Sequence, residues 1–374
     1  MSISASFYNL VLNLKNIPGW RTPRKIVVIE CDDWGGIRFP SQEVYDRLLR
    51  DGVGVTKGHF RYDTLESADD LEALFHVLNS VKDSKGNGAV MSAMTSMTNP
   101  AFKRIEENGF ETYYYEKFTD TILRYGRGDE VMNLWKQGIT SGIFVPELHG
   151  REHIAVYFWL EELRRRNKDL LLAFYNEVVS VNIPGVKSVL QGFRPEFYFD
   201  SEEQKESLRT SIRDSAFLFE EIFGHKSRVF VPADGIFHPC FESTAAESAI
   251  KYLNVNHLSL TPDGRGNVKH RLCITGQKSQ GLRYYIRNSA FEPSSESYSG
   301  IGLTLKQVAA AFRWRKPAII STHRVNFVGG ISKENRARGL KELNILLSAI
   351  VAQWPDVEFM GSAKALDIMN DTNS

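Results

Sequence analysis

The chain has 374 residues, 42% hydrophobic and 24% charged, an ordinary composition for a globular enzyme of one large domain or two small ones. Its 46 basic and 45 acidic residues nearly cancel, so the charge gives no footprint for nucleic acid or for an anionic membrane surface. Three widely spaced cysteines, Cys31, Cys240 and Cys273, indicate neither a disulfide framework nor a thiolate zinc site and fit a reducing compartment.

Residues 1–24 read as an N-terminal extension. From 2 to 14 there is no Lys or Arg, and Asn9 and Asn13 interrupt the apolar residues, so the stretch makes a poor signal peptide. No segment approaches the roughly 20 apolar residues of a membrane span, and the expectation is a cytoplasmic protein without a membrane partner. The β-branched run at 25–31 predicts a buried parallel strand feeding a loop. Leu71, Leu74, Phe75 and Leu78 then mark a helix, and 89–94 and 142–145 predict two further strands. After a helical stripe of Leu208, Ile212, Phe219 and Ile222 come strand-like runs at 228–231, 252–255 and 318–321. The clearest helix spans about 333–353, with Leu340, Leu343, Leu347 and Ile350 on one face and Ser332 placed to cap it. A closing strand at 357–360 follows. This alternation favours parallel strands with helices outside, either a barrel or an open doubly wound sheet. The stretches 110–129 and 261–299 fit it poorly and read as excursions from one domain.

Asp32-Asp33 stands at the carboxyl end of the first strand, where parallel α/β folds place their chemistry. One carboxylate of such a pair can bind a cation while its neighbour takes a proton from water; the plainer alternative is a helix cap beside a solvated acid. His149-Gly150-Arg151-Glu152-His153 follows another strand and sets two imidazoles four residues apart. With one carboxylate they make a three-ligand metal site that leaves positions open, or else they are a surface and a capping histidine. His323 ends a further apolar run and can serve as a general acid or be an ordinary rim histidine. Cys31 reads as a buried strand residue.

In their order these residues resemble the polysaccharide deacetylase superfamily, of the carbohydrate esterase family four type. There an Asp-Asp pair ends the first strand, a His-x-x-x-His motif follows a later one, a Pro- and Gly-containing loop comes next, and a histidine ends a strand near the carboxyl terminus. Here Asp32-Asp33, His149 to His153, Val231-Pro232-Ala233-Asp234-Gly235 and Thr322-His323 occur in that order, and Ala363-Lys364-Ala365-Leu366 is similar to the family's ending. The resemblance covers residues 25–368 and implies a single distorted (β/α) barrel of about seven parallel strands with insertions. It implies Asp32 as general base, Asp33, His149 and His153 as metal ligands, and His323 as general acid. The cofactor implied is a divalent ion, zinc first, with cobalt, nickel, manganese or iron as alternatives, and the partner is an acetylated sugar or glycan that loses acetate from an acetamido or acetyl ester group. Trp34, Arg194, Pro232, Asp234 and Arg324 are candidate substrate contacts. The family's arginine before its Pro loop has no match, because Val231 precedes Pro232; Arg228 and Arg194 are both candidates for its role.

Two other readings remain open. His149-x-x-Glu152-His153 also satisfies the inverzincin metallopeptidase pattern, with Glu152 as base, although Pro146 and Gly150 suggest a loop where that pattern wants a helix. A non-catalytic carbohydrate-binding relative would use Tyr113, Tyr114, Tyr115 and Trp159 as sugar platforms.

Overall fold

The first strand, β1 (Ile26–Trp34), is buried along its whole length, and its side chains divide by parity. Val27, Ile29 and Cys31 join the core between sheet and helices, whereas Ile26 and Val28 enter a smaller apolar cluster inside the curl of the sheet. Glu30 and Asp32 continue that inner row, so a row that begins apolar ends in carboxylates.

The computed structural model describes residues 3–55 and 58–371, so residues 1–2 of the expected extension lie outside the described residues. Eight further strands run parallel with β1: β2 (Met91–Ser96), β3 (Phe144–Gly150), β4 (Val229–Phe230), β5 (Tyr252–Asn254), β6 (Leu282–Tyr285), β7 (Ser289–Ala290), β8 (Ala318–His323) and β9 (Glu358–Phe359). Their order is β6-β5-β4-β3-β2-β1-β8-β7, with β9 beside β1, and the sheet curls into a half-barrel, a distorted (β/α) barrel with insertions. About seven strand positions were expected, β9 among them, and the two additional strands, β6 and β7, come from the stretch read as an excursion. β6 and β7 are two halves of one extended run, 282–290, which pairs with β5 by its first half and with β8 by its second. β9 supplements β1 over only two residues.

Around the sheet the helices follow their apolar stripes. A short amino-terminal helix is α1 (Ile3–Leu14). Helix α2 (Ala68–Ser80) begins at a Ser67/Asp70 capping box and buries Leu71, Leu74, Phe75 and Leu78. Helices α3 (Gln204–Phe223) and α4 (Lys333–Gln353) also form as expected, and the Ser332 hydroxyl accepts from the Asn335 N–H at 3.1 Å to cap α4. Helix α5 (Ser362–Asp371) carries Ala363, Ala365, Leu366 and Met369 into the inner cluster and stoppers the end of the barrel where β1 begins.

Two expectations need correction. Strands expected at 89–94 and 142–145 begin two residues later and end at Ser96 and Gly150, which carries them up to the polar motifs. The stretch 261–299 is not wholly an excursion, because 282–290 belongs to the sheet. Arg283, Arg287 and Asn288 interrupt its apolar pattern, and two of them turn inward to buried polar partners. Within 110–129 there is a short strand, Tyr115–Lys117, paired antiparallel with Thr98–Pro100, and a helix, Phe118–Arg124. The extension is tied to the barrel: Asn288 donates to the Asn16 side chain at 3.1 Å and Lys316 to the Pro18 carbonyl at 2.7 Å. Among the described residues no helix is long and apolar enough to cross a membrane.

Candidate active site

Strict alternation along β1 would send Asp33 outward to the helices and Trp34 inward. The pairing of β1 with β2 shifts register between Cys31 and Trp34, and Asp33 adopts φ +76°, so parity inverts at that point. Asp33 therefore faces the same cleft as Asp32, while Trp34 packs edge-on against Trp135 and Phe144 in the outer core. His153 is likewise left-handed, at φ +55°. Each such non-glycine conformation costs about 1–3 kcal/mol and persists because its surroundings enforce it. Between the two histidines, Gly150 has φ +118°, and a Cβ there would lie 2.1 Å from a Glu196 oxygen.

Asp33, His149 and His153 each offer one ligand atom, and these lie within 4.8 Å of one another, all three residues buried. Asp33 Oδ1 is 3.4 Å from His153 Nε2 and 3.8 Å from His149 Nε2, close to the ~3.3–3.6 Å between tetrahedral donors at zinc distances. His149 Nδ1 lies 2.7 Å from the Val231 carbonyl, which can only accept, so Nδ1 carries the proton and Nε2 presents a lone pair. That Nε2 is buried without a hydrogen-bond partner, the condition a metal ion would relieve. Burial, followed by the Arg38 charge, pulls the His153 pKa down to about 4, leaving a neutral imidazole. Burial resists ionisation of Asp33, but the charges of Arg38, 2.9 Å from Oδ1, and of His323 hold its carboxyl well below the usual carboxylate range. These residues fit a divalent cation.

Beside them, Asp32 receives both terminal nitrogens of Arg287 at 2.7 Å, one to each oxygen. Burial pushes its pKa up and Arg287 outweighs it, so Asp32 is ionised. Arg287 Nε also donates to Glu30 at 2.5 Å, and Glu30 accepts from Tyr285 and Ser362. Across the cleft, His323 stands opposite Asp32 in the β1–β8 register, its Nε2 4.0 Å from Asp32 Oδ2. Its Nδ1 is 2.6 Å from Glu292, whose other oxygen accepts from Asn326 at 2.8 Å. Burial opposes a charge on His323, but Glu292, Asp33 and Asp32 prevail and push its pKa up to about 10. Asp32, Asp33, His149, His153, Arg287 and His323 line one cleft of about 370 Å³ at the carboxyl ends of β1, β3 and β8.

No protein-family model matches the chain, and no curated protein matches it. Among solved structures it is similar to a 4-alpha-glucanotransferase from Thermococcus litoralis, with a TM-score of 0.44 and 12% identity over 92% of this chain and 40% of that one. It is also similar to a GH57-type branching enzyme from Pyrococcus horikoshii (0.43, 10%, 92% and 70%) and to a peptidoglycan deacetylase from Bacillus subtilis (0.36, 8%, 94% and 94%). The chain thus spans 40% of the length of the glucanotransferase.

Of the expected substrate contacts, Arg194, Pro232 and Asp234 line the cleft. Two do not. Trp34 is fully buried in the outer core by the parity inversion, and Arg324 is fully buried against Asp63, Glu66 and the Gly36 carbonyl. The arginine that grips Asp32 is Arg287, whereas Arg228 pairs with Asp367 and Arg194 faces Asp234 at 3.6 Å. Glu152 is bound to Arg151 at 2.5 Å and lines a separate cavity, and residues 151–154 are not helical, so the peptidase pattern lacks both its base and its helix. Trp159 is fully buried beside Phe102 and Phe174, which removes it as a sugar platform. Arg38, Arg287, Glu30 and Glu292 escaped sequence reasoning; the one available signal was the alternation of Arg283, Tyr285 and Arg287.

Proposed function

We propose that the chain is a metal-dependent hydrolase that removes acetyl groups from N-acetylated sugars or glycans. The observation that carries this reading is the convergence of Asp33, His149 and His153 beside Asp32 and His323 in one cleft. An oxygen and two imidazoles suit zinc, which when bound supplies Lewis acidity to the acetamide carbonyl and lowers the pKa of water. Asp32, ionised and oriented by Arg287, takes the proton of the attacking water. His323, protonated and held through Nδ1 by Glu292, delivers a proton from Nε2 to the departing nitrogen, which would otherwise leave as an amide anion. The products are acetate and a free amino sugar.

The test is acetate release from a panel of N- and O-acetylated glycans, with and without a chelator, for the wild type and Asp32→Asn. The expected result is chelator-sensitive release that is lost in Asp32→Asn while bound metal is retained. An active Asp32→Asn protein would end this mechanism.

A further inference from the structure

Five groups that carry positive charge line the cleft: Lys15, Arg38, Arg194, Arg287 and His323. Four face a carboxylate. Arg38 meets Asp33 at 2.9 Å, Arg287 meets Asp32 at 2.7 Å, Arg194 meets Asp234 at 3.6 Å and His323 meets Glu292 at 2.6 Å. Among the described residues Lys15 has no carboxylate within ion-pair distance; its Nζ donates to the Asn288 carbonyl at 2.8 Å. An ammonium has three N–H donors, so its hydrogen-bonding capacity is only partly used. Burial alone draws its pKa below the usual lysine value, with no acid opposing the effect.

The hydrogen-bond partner of the Lys15 ammonium is a neutral backbone carbonyl. Asn288, Ser289 and Gln307 line the same cleft, and the two amides among them are committed to the backbone. Asn288 accepts from the Ile319 N–H and donates to the Pro317 carbonyl, while Gln307 accepts from the Ala290 N–H. Lys15 comes from the extension that follows α1, not from a strand of the barrel. It is an addition to the cleft, and a half-buried ammonium without a counter-charge is costly unless a ligand brings one.

We propose that Lys15 binds an anionic group, carboxylate or phosphate, of the acetylated sugar, so that acidic or phosphorylated amino sugars are the substrate class. The location of the sugar rests on the deacetylase reading above; the anion preference is tested without it. Equilibrium binding would be measured for N-acetylglucosamine, its 6-phosphate and N-acetylglucosaminuronic acid, using the full chain and the Lys15→Met and Lys15→Arg variants. At least one anionic sugar should bind about 10-fold or more tighter than the neutral one, since charge-assisted hydrogen bonds are worth more than neutral ones. That advantage should vanish in Lys15→Met, persist in part in Lys15→Arg and shrink in the wild type as salt rises, the last reading being independent of how any variant folds. The better anionic arm names the group recognised.

No anionic advantage in the wild type, or one that survives Lys15→Met, would overturn the proposal. Equal weakening of all three sugars in Lys15→Met would also overturn it, by making Lys15 a prop for the Asn288 carbonyl. Acetate release from the same sugars separates the two readings. Anion preference without release leaves the anion site and removes the deacetylase, while release without preference does the reverse.

Discussion

On the cleft side of residues 149–153, His149 keeps a buried Nε2 with no partner, and both imidazoles converge on Asp33. On the other side, Arg151 binds Glu152 and Asp214, and Glu196 accepts from the Ser211 hydroxyl and the backbone N–H groups of Arg151 and His153. That side faces a second cavity of about 300 Å³, where Arg151 is closed by two ion pairs and the Glu196 carboxyl by three hydrogen-bond donors. The contrast separates anchoring from function. Groups that satisfy each other hold the loop in shape, whereas the open His149 lone pair beside Asp33 and His153 is placed to take a cation. The irregularity in β1 draws the same division between Asp33, turned to the cleft, and Trp34, turned to the core.

The largest expected effect tests that division directly. Asp32→Asn should lower acetate release by about 10²–10⁴-fold while metal per chain stays unchanged, and Glu152→Gln should leave turnover near wild type. A reversed ranking in parallel assays of release, peptide cleavage and metal content would erase the distinction between the two sides.

Next comes the core side of β1. Trp34→Ala should cost about 3–5 kcal/mol in denaturant unfolding, as truncation of a fully buried aromatic does, with normal turnover per folded molecule. Loss of turnover at full stability would place Trp34 back in the cleft.

Glu196→Ala should be milder and would sharpen the comparison, because Glu196 anchors the backbone of a proposed ligand. A stability loss of about 1–3 kcal/mol is expected from the orphaned donors, together with a roughly 10–100-fold fall in metal affinity measured by competition with a chelator. Unchanged metal affinity would mean that the anchoring side does not support the ligand side.

The smallest effect lies at the far end of the barrel. The hydrogen bond from Arg24, helped against burial by Lys85, holds the Glu358 pKa at about 2. A depressed carboxylate pKa stabilises the fold above the unfolded value of about 4.3, and this contribution fades as pH falls through about 2. Glu358→Gln should flatten that part of a melting-temperature profile and leave the profile above pH 5 parallel to wild type.

Much of the scaffold was legible because β-branched runs and 3.6-residue stripes report burial directly, as in β1, β8, α2 and α4. The candidate ligands were legible through their place after strands. What escaped was direction and partnership. Nothing local says that parity inverts at Asp33, so Trp34 was expected in the cleft, and adjacency to His323 said nothing about Arg324 turning away to Asp63 and Glu66. Arg287 was hidden for another reason. A charged residue in a strand looks like a break in the pattern until its counter-charges, Glu30 and Asp32, are known to lie inside the same curl.

The run 282–290 has a consequence for how the protein comes into being. It is the seam that touches both flanks of the sheet, and it carries Arg287, whose partners Glu30 and Asp32 lie more than 250 residues earlier in the chain. During synthesis the three candidate metal ligands would emerge long before that seam, while two inward carboxylates wait beside each other with no counter-charge. Closure of so long a loop is a late event. A chain in which Asp32 is held by Arg287 is therefore one whose run 282–290 has already joined the two flanks of the sheet.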